Sequence, residues 1–209
     1  MLATEKSSFC RVDAKAVFAR PENSDELVFV DRLVRTLHTL NYLTYLDRKS
    51  RGLLLLRVHP RHVASVAGDH GLAFEEILRS CGLLPAEIIL ELEVYDGIDS
   101  EHLLRAIANY KSRGYGIALR GSDDRIPSQA LIHDVRPMLV SFKLNGTGAS
   151  GVISTATDSV PAPFAEALRD QGVKTLLRGE YPATFRKGLF ARGIDLYNPP
   201  RETTLLRAS

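Results

Sequence analysis

Tryptophan is absent from the 209 residues, cysteine and methionine occur twice each, and aromatic side chains make up only 7%. Two thiols, Cys10 and Cys81, cannot form a disulfide framework for a chain of this length. They read instead as reduced, small apolar residues of a cytoplasmic protein. No charge of one sign prevails either. The 27 Lys and Arg stand against 25 Asp and Glu, for a net charge of +2. That balance removes the electrostatic case for direct nucleic-acid binding or for a membrane-surface protein. No apolar run is longer than the four residues of Leu53–Leu56, against the ~20 that a membrane-spanning helix needs. Met1 to Lys6 lacks a basic stretch followed by an apolar one, so no secretion signal is expected. What is present, 44% hydrophobic and 25% charged residues, suits one globular domain with a substantial core.

Short apolar runs alternate with segments of helical period. Leu53–Val58 is apolar on both faces, as a strand covered on both sides must be. Phe74, Ile77, Leu78 and Cys81 follow at helical spacing, and Gly82 ends that helix. Further strands are expected at Ile88–Leu92, Gly116–Leu119, Met138–Leu144 and Val173–Leu177. Ser100 can cap a helix carrying Leu103, Leu104, Ile107 and Tyr110, and other helices are expected at 161–171 and 182–191. Upstream, Leu27, Val30, Val34 and Leu37 mark a helix preceded by a strand at Ala14–Ala19. Repeated strand–helix–strand units imply parallel pairing, in an open doubly wound sheet or in a (β/α)8 barrel.

Gly146-Thr147-Gly148-Ala149-Ser150-Gly151 matches the G-x-G-x-x-G pattern and follows a strand. A dinucleotide site needs an apolar-periodic helix to begin inside that pattern. Here Val152 to Thr157 is β-branched and polar, and Pro161 precedes any helical period. The stretch reads as a loop within the domain.

The order of segments resembles the EAL-domain family, cyclic dimeric GMP phosphodiesterases built on a modified TIM barrel. In "GLLPAEIILELEVYDG", Leu90-Glu91-Leu92-Glu93-Val94 stands at the family's L-E-I-T-E strand. "YKSRGYGIALRGSDD" is similar to the segment ending in I-A-L-D-D-F-G-T-G, "VSFKLN" to the I-K-I-D strand, and "GVKTLLRGEY" to the strand ending in V-A-E-G-V-E. "AKAVFAR" resembles the E-A-L-x-R signature, and "LLRVHPRHV" the V-N-x-S-P segment. The resemblance implies an incomplete or distorted TIM-like barrel, α/β in class, over residues 9–200. Residues 1–8 would be an extension and 201–209 a tail. It also implies a bacterial, cytoplasmic signalling setting.

Residue by residue, the family's chemistry is largely replaced. The signature Glu falls on Ala16, the metal-binding Asn on Arg57, the paired aspartates on Arg120-Gly121, and the strand-end Glu on Arg178. Glu91, Lys143 and the signature arginine, Arg20, are retained. The segment between Ala16 and Arg57 is short, as if one helical element were missing. Hydrolysis assisted by Mg²⁺ or Mn²⁺ needs several hard oxygen ligands. Guanidinium groups remain protonated and cannot coordinate a cation. The expected pocket therefore has no metal, no cofactor and no catalytic residue; it either closes through Arg–Glu pairs, with Glu93 joining if it faces inward, or accepts an anion. Asp123-Asp124 lie three residues past the aspartate positions, about 10 Å along an extended strand, which is too far to replace them. His59 and His62 are expected to be a solvated pair in a loop.

Three functions follow as expectations. The first is an inactive EAL-like domain acting through a protein partner or a homodimer. Its contact surface would include Leu40, Tyr42, Leu43 and Tyr45, unless these line the core. The second is a receptor that binds cyclic dimeric GMP without cutting it, through Arg20, Arg57, Lys143, Arg178 and Glu91. A working phosphodiesterase comes third.

Overall fold

The computed structural model describes residues 14–45, 52–121, 126–143, 162–178 and 193–197. Six strands form one sheet: β1 (Leu54–Val58), β2 (Ile88–Val94), β3 (Gly116–Gly121), β4 (Leu139–Phe142), β5 (Lys174–Leu177) and β6 (Leu196–Tyr197). Every neighbouring pair is parallel, and the spatial order is the sequence order, β1 through β6. A doubly wound sheet reverses its order at a switch point. This sheet never does, so the progression is that of a barrel wall. Among the described residues no pairing joins β6 back to β1, and the wall is incomplete.

Alternation along the strands makes two cores. Leu56, Val58, Ile88, Leu90, Leu92, Ile117, Leu119, Val140, Phe142 and Leu177 point outward, under the helices. Leu55, Ile89, Ala118, Leu139 and Leu176 meet on the other face as a smaller inner layer. A strand buried on both faces cannot alternate apolar with polar along its whole length, which explains the continuous runs in the sequence.

The helices are α1 (Ala14–Ala19), α2 (Ser24–Tyr45), α3 (Pro60–Ser65), α4 (Leu72–Ser80), α5 (Ser100–Ser112), α6 (Gln129–Val135) and α7 (Ala162–Asp170). Two expectations need correction here. The segment Ala14–Ala19 is helical rather than a strand. It is alanine-rich, which favours a helix, and among the described residues no strand precedes β1. The interval between Ala16 and Arg57 holds α1 and α2. The cap of α5 is Asp99, whose carboxylate accepts the His102 N–H at 3.0 Å, and not Ser100. The expected helix at 182–191 lies outside the described residues, as do the glycine motif and Asp123-Asp124.

A further difference concerns α2. Leu27 is buried as expected, but the rest of the inward stripe is Asp31, Arg35 and Thr39. Leu37 points to solvent. This 22-residue helix lies against β1, α3 and α4. The polar stripe is held because its groups find partners. Asp31 Oδ2 sits 2.7 Å from Arg35 Nη2, and Asp31 Oδ1 accepts the His59 backbone N–H at 2.9 Å. The Arg35 guanidinium covers the Phe74 ring at 4.5 Å.

Candidate functional site

The inner layer of apolar residues gives way to charge toward the C-terminal ends of the strands. Two residues beyond Leu55 comes Arg57; beyond Ile89 come Glu91 and Glu93; beyond Ala118, Arg120; beyond Leu139, Ser141; beyond Leu176, Arg178. Because strand side chains repeat every second residue, all six share the inner face. The register sets Arg57 beside Glu91, Glu93 beside Arg120, and Arg120 beside Ser141.

The groups pair with one another. Arg57 forms a hydrogen-bonded ion pair with Glu93. Arg120 Nη1 is 3.5 Å from Glu91 Oε2, and Arg120 Nε is 4.0 Å from Glu93 Oε2. Ser141 Oγ–H donates to Glu91 Oε1 at 2.5 Å. Arg178 is buried and donates through Nη2 to the Gly121 carbonyl at 2.8 Å. Burial, and next the neighbouring Arg120, pull the Arg178 guanidinium down to about 10, while Glu91 and Glu93 pull it up. It remains a cation at neutral pH. Three arginines and two glutamates leave this cluster at +1.

Arg57, Glu91, Arg120 and Arg178 are therefore brought together. Lys143, just past β4, is exposed, and so is Arg20, just past α1. With its segment helical, Arg20 does not stand at the end of a strand in this sheet, and Ala16 likewise sits on α1. Of the expected contact surface, Tyr42 donates its hydroxyl to the Gly52 carbonyl at 2.5 Å and Leu43 packs on the core. Both are half-buried. Leu40 is exposed, and the Tyr45 side chain lies outside the described residues.

His59 and His62 are not a solvated pair. Pro60 occupies the first turn of α3, where its missing N–H costs nothing, and His59 is the cap, its ring stacked 4.6 Å from that of Phe18. His62 is buried beneath α2, with Nδ1 3.2 Å from Asp31 Oδ2 but outside hydrogen-bond geometry. Burial foremost, then Arg35, lowers its pKa to about 3. His70, also buried, is lowered to about 4 by burial and by His102. Sequence spacing carries little sign of this, because a proline between two histidines reads as a break, whereas here it starts a helix.

Both carboxylates at the mouth are taken up by guanidinium groups, and among the described residues no three His, Cys, Asp or Glu side chains gather as a cation site requires. Nor is any helix among them long and apolar enough to cross a membrane.

Solved structures share this fold. The chain is similar to the Bacillus subtilis YkuI protein, with an EAL domain, in complex with c-di-GMP and calcium, at 18% identity and a TM-score of 0.61 over 88% of this chain and 45% of that one. It is similar to a standalone EAL protein from Vibrio cholerae in its c-di-GMP-bound form, at 16% identity and 0.67 over 87% of this chain and 75% of that one. The FimX EAL domain of Xanthomonas citri in complex with c-di-GMP matches at 16% and 0.64, over 86% and 70%. The chain spans under half the length of the YkuI protein. No protein-family model matches the sequence, and no curated protein matches it either. The barrel, in part, is that of EAL domains.

Proposed function

We propose that this EAL-type barrel is catalytically inactive and works as a regulatory, protein-binding module. The observation that carries the reading is the closed Arg–Glu cluster at the strand ends. Arg57 and Arg120 pair with the Glu93 and Glu91 carboxylates, and Arg178 is buried beside them with its guanidinium on the Gly121 carbonyl. Such a site repels a divalent cation and has no free base for a water. An enzyme that sheds its chemistry keeps the wall of the barrel and changes the residues at its rim, which is the pattern here.

The test is direct. Purified chain incubated with c-di-GMP and Mg²⁺ or Mn²⁺ should release no linear product. Turnover that scales with protein and stops on chelation would sink the proposal.

One feature favours a second reading, a receptor that binds c-di-GMP without cutting it: the cluster keeps an excess of positive charge, with exposed Lys143 close by in sequence. Arginine pairs phosphate through short charge-assisted hydrogen bonds. Calorimetry separates the two. Micromolar binding lost in Arg120→Ala and Lys143→Ala would assign the receptor; no heat would leave the protein-binding reading.

A further inference from the structure

Polar groups, more than apolar ones, hold α2 to the barrel. Of its described residues only Leu43 packs on the main apolar core. The stripe that it buries is Leu27, Asp31, Arg35 and Thr39. Below that stripe lies His62 of α3, within electrostatic reach of His70 just ahead of α4. The two histidines are 3% and 1% exposed. The seam is short of partners. Arg35 Nη1, His62 Nδ1, both ring nitrogens of His70 and the Tyr110 hydroxyl are buried without a hydrogen bond of proper geometry, although the Val66 carbonyl lies near His70. Every such atom is a cost that contact with water would relieve.

We infer that α2 is an acid-released helix: protonation of His62 and His70 detaches it from the barrel while the sheet stays folded. The charges around the two rings select this outcome. His62 is faced from α2 by Asp31, Arg32 and Arg35, and from the cap of its own helix by His59. His70 is faced from α5 by His102 and Tyr110, whose rings stand edge-on at 5.5 and 5.6 Å. Asp69 and Glu75, the carboxylates nearest His70 in the chain, pair with Arg113. Asp31 is therefore the one carboxylate of the seam among the described residues, and its Oδ2 already holds Arg35. Two more positive charges would set three cations against one anion in a space closed to solvent. Opening lets both rings protonate in water. Between pH 6.5 and 4.5 each ring binds its proton in the open form only, so each raises the opening equilibrium about tenfold per pH unit. Two rings over two units make about 10⁴-fold. The sheet survives because its two apolar layers draw on the strands and the other helices, with Leu43 the one contribution from the described residues of α2. The element with the fewest apolar contacts opens first.

Hydrogen exchange of the full chain, read by mass spectrometry from pH 7 to pH 4.5 and corrected for the intrinsic exchange rate, tests the release. Peptides from α2 should lose protection below pH 6.5 by about 100-fold per pH unit, until none is left. Peptides from β2, β3 and β4 should keep theirs over the same interval. His62→Gln or His70→Gln alone should halve the logarithmic slope, and the two together should abolish it. Protection of α2 that does not change with pH overturns the inference. So does a loss shared equally by α2 and the central strands, which is global unfolding. So does a double variant whose α2 still opens in acid as the wild type does. Should the double variant not fold, the imidazole proton resonances of the wild type decide. Both rings should take up protons in step with the opening of α2, and rings that titrate near 6.5 while α2 stays protected overturn the inference. Acid release is independent of what the strand-end mouth binds or hydrolyses, so its failure leaves the inactive-domain proposal standing.

Discussion

Asp31→Ala is the most demanding test of the packing that holds α2 on the barrel. The Asp31 carboxylate is 1% exposed and does three things at once. It pairs with Arg35 Nε at 2.9 Å and Nη2 at 2.7 Å, it accepts the His59 N–H that starts α3, and it lies beside His62. Its removal leaves a guanidinium that is 2% exposed with no counter-charge. Breaking a buried pair on one side costs about 3–5 kcal/mol. An N–H left without its acceptor adds about 1–3 kcal/mol, although the two losses share a site and will not add fully. A net loss near 4 kcal/mol is a large part of the 5–15 kcal/mol by which domains are stable. With a urea slope of about 2–3 kcal/mol per M, the midpoint followed by circular dichroism should fall by roughly 1.3–2 M. Asp31→Leu combined with Arg35→Met should recover most of the loss, because a buried ion pair is replaceable by apolar residues of similar volume. A single-variant shift below about 0.3 M, or a double variant no better than the single, would refute the reasoning.

Other consequences follow from the same contacts. His62 and His70 titrate near 6.5 when unfolded but only at about 3 and about 4 when folded. Their neutral burial therefore supports the fold fully above pH 6.5. That support is lost as pH falls toward the folded values, by about 1.4 kcal/mol per pH unit for each histidine. Urea midpoints should drop between pH 6.5 and 4.5, and His70→Phe should flatten the slope; an unchanged midpoint over that interval would contradict the burial. At the strand ends, Ser141→Ala removes a hydrogen bond to the buried Glu91 carboxylate and should cost about 1.5–3 kcal/mol by denaturant unfolding. Gly71 heads α4 at φ +90°, and a Cβ there would meet Tyr115 Cε2 at 2.9 Å and Tyr110 Cδ1 at 3.0 Å. Gly71→Ala should therefore destabilise by about 2–4 kcal/mol, backbone strain and overpacking combined. A midpoint equal to wild type would show that the two tyrosines can yield.

Local patterning determined much of this protein. The apolar runs around Leu54–Val58, Ile88–Val94 and Gly116–Gly121 are strands because residues buried on both faces need no polar alternation, and the helical period and Gly82 stop of α4 are readable for the same reason. The placing of Arg57, Glu91, Arg120 and Arg178 at strand ends was also legible, since one inner position in two must face the mouth. Tertiary structure decided the rest. A sequence window measures hydrophobicity, so it points Leu37 to the core and cannot foresee that Asp31 and Arg35 are buried instead, held by groups that include one distant in the chain. The same blindness makes a strand of Ala14–Ala19, beside which no described strand waits to pair, and leaves His62 in water, when a proline at the first turn of α3 turns it inward. Period and spacing are properties of the chain by itself. Which face of a helix meets the barrel depends on hydrogen-bond partners that exist only after the fold has formed.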